Sequence, residues 1–182
     1  MAATAAWVMA AASLCGREKA AAKVVRGALA RSAAAWQGLR ARAVPHRVAF
    51  VAGAADLGRI LLPSSSAGIP LAGFLGEAGF GLDLLVFAPE KKSLEPFEAL
   101  IKRAKVRVDF FETEKELGRK LSAGKFSGVW SDFLCDYRVS DAGKAQVSID
   151  MFQPGFTGAC RTLETLVSVC EAGFKAYGKK QG

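Results

Sequence analysis

A three-layer α/β sandwich, with a mostly parallel sheet of about five strands and one candidate antiparallel edge strand, is the fold class this sequence predicts. Three observations predict it. From Arg47 onward, short β-rich runs alternate with helical patterns of about ten residues, the rhythm of βαβ units. The run Leu82–Ala88 is almost continuously apolar, as a strand buried on both faces must be. Apolar residues make up 51% of the chain, enough for a sizeable core.

Residues 1–46 read differently from the rest. Arg17, Lys19, Lys23, Arg26, Arg31, Arg40, Arg42 and Arg47 face a single acid, Glu18, across the first 47 positions. The chain's formal charge is +8, so residues 48–182 are nearly neutral. An Ala-rich segment with several Arg, two Ser and almost no acid has the composition of an organelle targeting leader. Its middle forms an amphipathic helix on a wheel: Lys19, Lys23 and Arg26 share one face, and Val24, Val25, Ala28 and Leu29 lie around the other. Such a helix suits an import receptor groove or an anionic membrane surface. A retained structural helix fits the same residues. Arg outnumbers Ser and Thr here, which favours a mitochondrion, matrix side, over a plastid. The division expected is a leader or N-terminal extension at 1–46 and one α/β domain at 47–182.

Along that domain, Arg47–Ala52 predicts a first strand, closed by Gly53. Asp56–Leu62 is a short helical stretch stopped by Pro63, and Ser64–Gly68 is loop. Pro70 opens a second helical stretch that Gly79 or Gly81 ends. Leu82–Ala88 is the second strand. Ser93 or Glu95 begins a helix through Phe97, Leu100, Ile101 and Ala104. Val106–Phe111 is a third strand, its Val106, Val108 and Phe110 alternating with Arg107 and Asp109. Thr113 caps a helix from Glu114 to Ala123 that ends at Gly124. Phe126–Leu134 is the fourth strand and Arg138–Gly143 a turn. Ala145–Phe152 alternates Val147, Ile149 and Met151 against Ser148 and Asp150, which predicts a fifth strand with one wet face. Its connection to the fourth is short enough for a hairpin, hence the expected antiparallel edge. Thr157 or Gly158 starts a last helix with Leu163, Leu166, Val167, Cys170, Phe174 and Tyr177 on one stripe. The expected core is Val48, Phe50, Leu84, Val86, Val108, Phe110, Val129 and that stripe.

Exclusions narrow the chemistry. His46 is the only histidine, and it sits at the leader junction, which removes Ser-His-Asp and Cys-His catalysis and nearly all zinc sites from the body. Cys15, Cys135, Cys160 and Cys170 show no paired spacing and imply buried thiols in place of a disulfide framework. Asp132 and Asp136 fall at the end of the fourth strand, where a carboxylate-only Mg site or two solvated turn acids would sit. Ser64–Ser66 with Gly68 suits an anion cradle or a flexible loop. Lys102–Arg107 and Lys179–Lys180 are too little for a broad nucleic-acid surface on the body. The best span candidate, Ile69–Ala88, is interrupted by Glu77, Asp83 and glycines, so no transmembrane segment is expected. Trp130 is a core candidate, and Tyr137 a candidate exposed anchor.

The strongest positive motif is Val51-Ala-Gly-Ala-Ala-Asp-Leu-Gly-Arg59, directly after the first strand. It resembles the glycine-rich turn of Rossmann dinucleotide-binding domains, in which G-x-G-x-x-G opens a helix beneath the pyrophosphate. Gly53 and Gly58 stand at the first and third glycines, and Ala55 at the second. The resemblance implies a Rossmann-like domain over 47–182. NAD(P) or another nucleotide would be held at Gly53, Ala55, Gly58 and Arg59, with Glu90 toward the ribose. Glu90 lies further along the chain than the family's acid, and Pro63 cuts the helix short. A strand-turn-helix that needs small residues for packing explains the same run.

Two functions follow as expectations. One is a non-catalytic accessory or scaffold subunit of an organellar, mitochondrial multiprotein assembly. It would carry no cofactor and would meet its protein partners through the Phe152–Phe156 corner or a retained N-terminal helix. The leader would supply any peripheral membrane contact. The other is a nucleotide-binding enzyme or sensor with Asp132 or Asp136 facing the ligand.

Overall fold

A computed structural model describes residues 1–53, 56–62, 70–87, 91–103, 105–131 and 136–173. It contains β1 (Arg47–Gly53), β2 (Gly81–Phe87), β3 (Arg107–Phe111), β4 (Gly128–Ser131) and β5 (Ala145–Val147). Helices α1 (Ala2–Leu14) and α2 (Glu18–Ala43) precede the sheet. Helices α3 (Leu57–Leu61), α4 (Leu71–Ala78), α5 (Glu98–Arg103), α6 (Glu114–Ala123) and α7 (Tyr137–Asp141) lie within it, and α8 (Gly155–Ala172) closes the chain order. Short 3₁₀ turns run over Lys91–Phe97 and Ile149–Met151.

The five strands form one sheet in the order β3-β2-β1-β4-β5, and every neighbouring pair is parallel. This corrects the antiparallel edge expected for the fifth strand. The fourth strand ends at Ser131, and residues 132–144 intervene before β5. That length admits a crossover as well as the expected hairpin. The crossover contains α7, at the position expected to be a turn. Asp136 caps it by accepting the Arg138 N–H, 3.1 Å. Past Val147 the alternating pattern continues into a 3₁₀ turn and no longer into strand.

Side-chain alternation on the strands builds two cores, as a sheet covered on both faces requires. On one face Val48, Phe50, Ala52, Leu82, Leu84, Val86, Trp130 and Val147 pack with α3, α4 and α8. On the other, Ala49, Leu85, Phe111 and Val129 pack with Leu117 and Leu121 of α6 and Val139 of α7. Val108 and Phe110, expected in the core, are only partly buried, because β3 is a sheet edge. Helix termini follow local chemistry. Thr113 accepts the Glu116 N–H at 3.2 Å, and Gly79 closes α4 in the left-handed region at φ +99°.

The N-terminal segment belongs to this packing. Helix α2 lies against α8 and touches α4, and its Trp36 and Ala43 are members of the first core. Val25 and Ala28 are also buried. Arg42 grips Glu171 of α8 with two hydrogen bonds, 3.0 and 2.6 Å. Of the apolar face read from the sequence, Val25, Ala28 and Leu29 are buried or partly buried and Val24 is exposed, while Lys19, Lys23 and Arg26 remain exposed.

Candidate functional site at the reversal of strand order

In a sheet ordered 3-2-1-4-5 the connection after β1 runs toward β2, and the one after β4 runs the other way toward β5. In open α/β sheets this arrangement places a crevice outside the carboxyl ends of the two strands. Parallel pairing sets Val51 opposite Ser131, so the carboxyl ends of β1 and β4 lie side by side. Sequence reasoning placed candidates on both. The sheet order, which no local pattern reveals, is what makes them neighbours.

On the β1 side, Asp56 Oδ2 accepts the Gly53 N–H at 3.2 Å, and Asp56 Oδ1 lies 3.8 Å from Arg59 Nη1. A carboxylate thus occupies the mouth of the turn, and α3 behind it is only five residues long. A Cβ on Gly53 would meet Asp56 Oδ2 at 3.1 Å, whereas one on Gly58 would meet only Leu62 Cδ1 at an ordinary 3.7 Å. Packing here does not require a glycine at 58. Ala55, the Ser64–Ser66 loop with Gly68, and Glu90 lie outside the described residues.

On the β4 side, Asp136 is the centre of a closed network. Its carboxylate accepts Ser131 Oγ–H at 2.8 Å and Arg138 Nε and Nη2 at 2.8 and 2.9 Å. Its backbone N–H donates to Gln146 Oε1 at 3.1 Å. Burial pushes the Asp136 carboxyl up, but the bonds from Arg138 and Ser131 outweigh it and hold the group below its ordinary value. The partnership with Asp136 raises the Arg138 guanidinium. Tyr137 is 62% exposed, and its hydroxyl donates to Glu114 at 2.9 Å. Asp132 lies outside the described residues, and Asp136 is committed to Arg138. Among the described residues no cluster of three His, Cys, Asp or Glu is placed to hold a metal.

The remaining sequence candidates separate clearly. Trp130 is buried, with its ring 6.1 Å from Phe50 and 5.8 Å from Phe152. The rings of the Phe152–Phe156 corner pack toward the core, leaving Gln153, Pro154 and Gly155 exposed at its tip. Cys170 is buried, and desolvation pushes its thiol up to about 11, well away from thiolate chemistry at neutral pH. Cys160 is partly buried and Cys15 exposed; Cys135 lies outside the described residues. His46 Nδ1 lies 2.9 Å from Ser127 Oγ, beside the first core and away from the crevice.

One cavity escaped sequence reasoning. An open groove of about 440 Å³ lies beside β2 and β3, lined by Arg47, Asp83, Arg107, Asp109, Lys120 and Lys125 among others. Arg47 pairs with Asp83 at 2.7 Å and Lys120 with Asp109 at 2.8 Å. The hydrogen bond from Lys120 lowers the Asp109 carboxyl. The alternation of Arg107 and Asp109 along the third strand was the available signal for this wet face.

No protein-family model matches the chain, and no curated protein or solved structure matches it either. Among the described residues no helix is long and apolar enough to cross a membrane.

Proposed function

We propose that this chain is a non-catalytic accessory or scaffold subunit of a mitochondrial multiprotein assembly on the matrix side, with residues 1–46 retained as part of its fold. The observation that carries the reading is the Asp56 carboxylate bonded to the Gly53 amide. A dinucleotide pyrophosphate needs free amides and positive potential at this turn. Here the chain supplies a negative charge of its own, ahead of a helix too short to add much dipole. Retention of the N-terminal helices is supported by Trp36 and Ala43 in the core, and the mitochondrial address by the exposed cations of α2. Native-size fractionation of mitochondria from cells that make the protein, with this chain followed by mass spectrometry, tests it. The expected result is a chain that keeps residues 1–46 and migrates far above the 19.2 kDa of these 182 residues. A free monomer, or a chain lacking residues 1–46, overturns it.

The strand order favours a second reading, a Rossmann-like nucleotide-binding enzyme or sensor, because 3-2-1-4-5 is the arrangement of dinucleotide-binding sheets. In that case Gly53, Ala55, Gly58, Arg59 and Glu90 hold NAD(P) or another nucleotide, and Asp56 swings away from the Gly53 amide. Saturable thermal stabilisation of about 2.7 kcal/mol at a hundred times Kd supports this reading over the first. An unchanged melting curve with nicotinamide and adenine nucleotides removes it.

A further inference from the structure

Helix α1 is out of keeping with a helix that faces only water. Its thirteen residues carry no charged side chain, and only Thr4 and Ser13 among them are polar. A surface helix ordinarily sets charge opposite its buried stripe. One side of α1 is accounted for. Thr4 is buried, and the helix packs on α2. The first turn is held by Glu77 of α4, whose Oε1 accepts the Ala2 N–H at 2.7 Å and the Met1 amine at 2.6 Å. The other side is bare. Ala6, Trp7, Ala10 and Leu14 are exposed and recur at helical spacing, with Trp7 57% and Leu14 90% accessible.

The chain then doubles back through Gly16, in the left-handed region at φ +63°, into α2. Every residue from Ser13 to Ala20 is exposed at this bend. Arg17, Lys19 and Lys23 stand there against one acid, Glu18, and Val24 adds a further apolar side chain at 62% exposure. An uncharged helix face bounded by a cluster of cations is complementary to one kind of surface, an apolar slab with anionic headgroups over it. Length decides the mode of contact. Thirteen residues of α-helix span about 20 Å, short of the ~30 Å hydrocarbon core, so α1 lies in the interface and does not cross it.

We propose that the α1–α2 hairpin docks on an anionic bilayer surface, with Trp7 and Leu14 entering the acyl boundary and Arg17, Lys19 and Lys23 facing the headgroups. The occupant is lipid. The docking stands whether or not the chain has protein partners, since it draws on a face of the molecule that the crevice and the core do not use.

The full chain offers a built-in probe. Trp36 and Trp130 are each 7% exposed, so a blue shift of tryptophan emission on adding vesicles reports Trp7. Phosphatidylcholine vesicles containing phosphatidylserine are expected to give that shift and to carry the protein down on sedimentation, whereas pure phosphatidylcholine vesicles give neither. Neutralising the cluster (Arg17→Gln, Lys19→Gln, Lys23→Gln) should weaken binding about a hundredfold, and Leu14→Glu should abolish it. Trp7→Phe should bind normally without the shift. All these positions are exposed, so each variant should keep the parent melting temperature, which separates lost docking from lost folding. The proposal is overturned by no binding to the anionic vesicles at low salt, by equal binding to neutral vesicles, or by full binding of Leu14→Glu. Light scattering that shows α1 consumed in a dimer indifferent to lipid also overturns it.

Discussion

Trp36 of α2 stands edge-on to Phe74 of α4, ring centroids 6.0 Å apart and planes at 72°. Phe74 in turn meets Phe152 at 5.6 Å, and Phe152 meets Trp130 of β4 at 5.8 Å. A chain of aromatic rings thus runs from the N-terminal helix to the sheet. Such rings bury large areas and add geometry-dependent attraction beyond them.

Trp36→Ala should therefore cost about 3–5 kcal/mol, measured by urea denaturation, the range for removing a large aromatic from a core. Deleting residues 1–46 uncovers Phe74 and the α2-facing side of α8. The truncated chain should lose its single cooperative transition and bind a hydrophobic dye. A truncated form with native stability would mean that the body folds without α2.

Asp136 predicts an acid limb to stability. Its carboxyl titrates below its ordinary value in the folded state, so its contribution is complete above the usual ~3.9 of an unfolded Asp. That contribution is lost as pH falls through the depressed folded value. Asp136→Ala should cost about 2–3 kcal/mol at neutral pH, from the lost cap and the charge-assisted bonds to Arg138 and Ser131. The difference from the parent should shrink toward low pH. Chemical denaturation across an acid series reads both effects.

Two helical glycines should respond in opposite directions to alanine. At Gly158 a Cβ would fall 2.7 Å from the Gln153 carbonyl carbon and oxygen, backbone atoms that have little room to yield. Gly158→Ala should destabilise by about 1–3 kcal/mol. At Gly118 in α6 nothing lies within 4 Å of the added methyl, and Gly118→Ala should stabilise by about 0.5–1 kcal/mol through helix propensity. Thermal unfolding of the pair tests the geometry of α8 at Gly158 and of α6 at Gly118.

Thr113 is a local test of α6. Its hydroxyl accepts the Glu116 N–H, while the Glu116 carboxylate accepts the Glu112 N–H at 3.1 Å. Thr113→Ala should cost about 1 kcal/mol and Thr113→Ser should cost far less, since serine keeps the acceptor. Equal losses in the two variants would assign the effect to the methyl group.

What the sequence made legible was local. The α6 helix was readable from Thr113 to Gly124 because cap, apolar stripe and stop all lie within one stretch. The buried second strand was readable from Leu82 onward for the same reason. The orientation of β5 was not, because it depends on where β4 ends, and Val129–Gln146 pairing is a relation between distant segments. Nor was α7, where five residues after Asp136 look no different from a turn. The N-terminal segment misled in another way. Val25, Ala28 and Trp36 on one side of a basic helix suit a receptor groove as well as they suit burial within this fold, and composition alone does not separate the two. Gly53 and Asp136 were each visible, but the pairing of the strands that lead to them, β1 with β4, needed the sheet order. The claim of Asp56 on the Gly53 amide needed coordinates.

The clasp between Arg42 and Glu171 joins residues 129 positions apart. Helix α2 finds this seat only after α8, far along the chain from it, has been synthesised. Until then the underside of α2 has no permanent cover, and long-range closure of this kind is slow. Biogenesis of this chain is thus expected to lean on holding factors, and late truncations should leave the nascent protein as vulnerable to proteolysis as early ones.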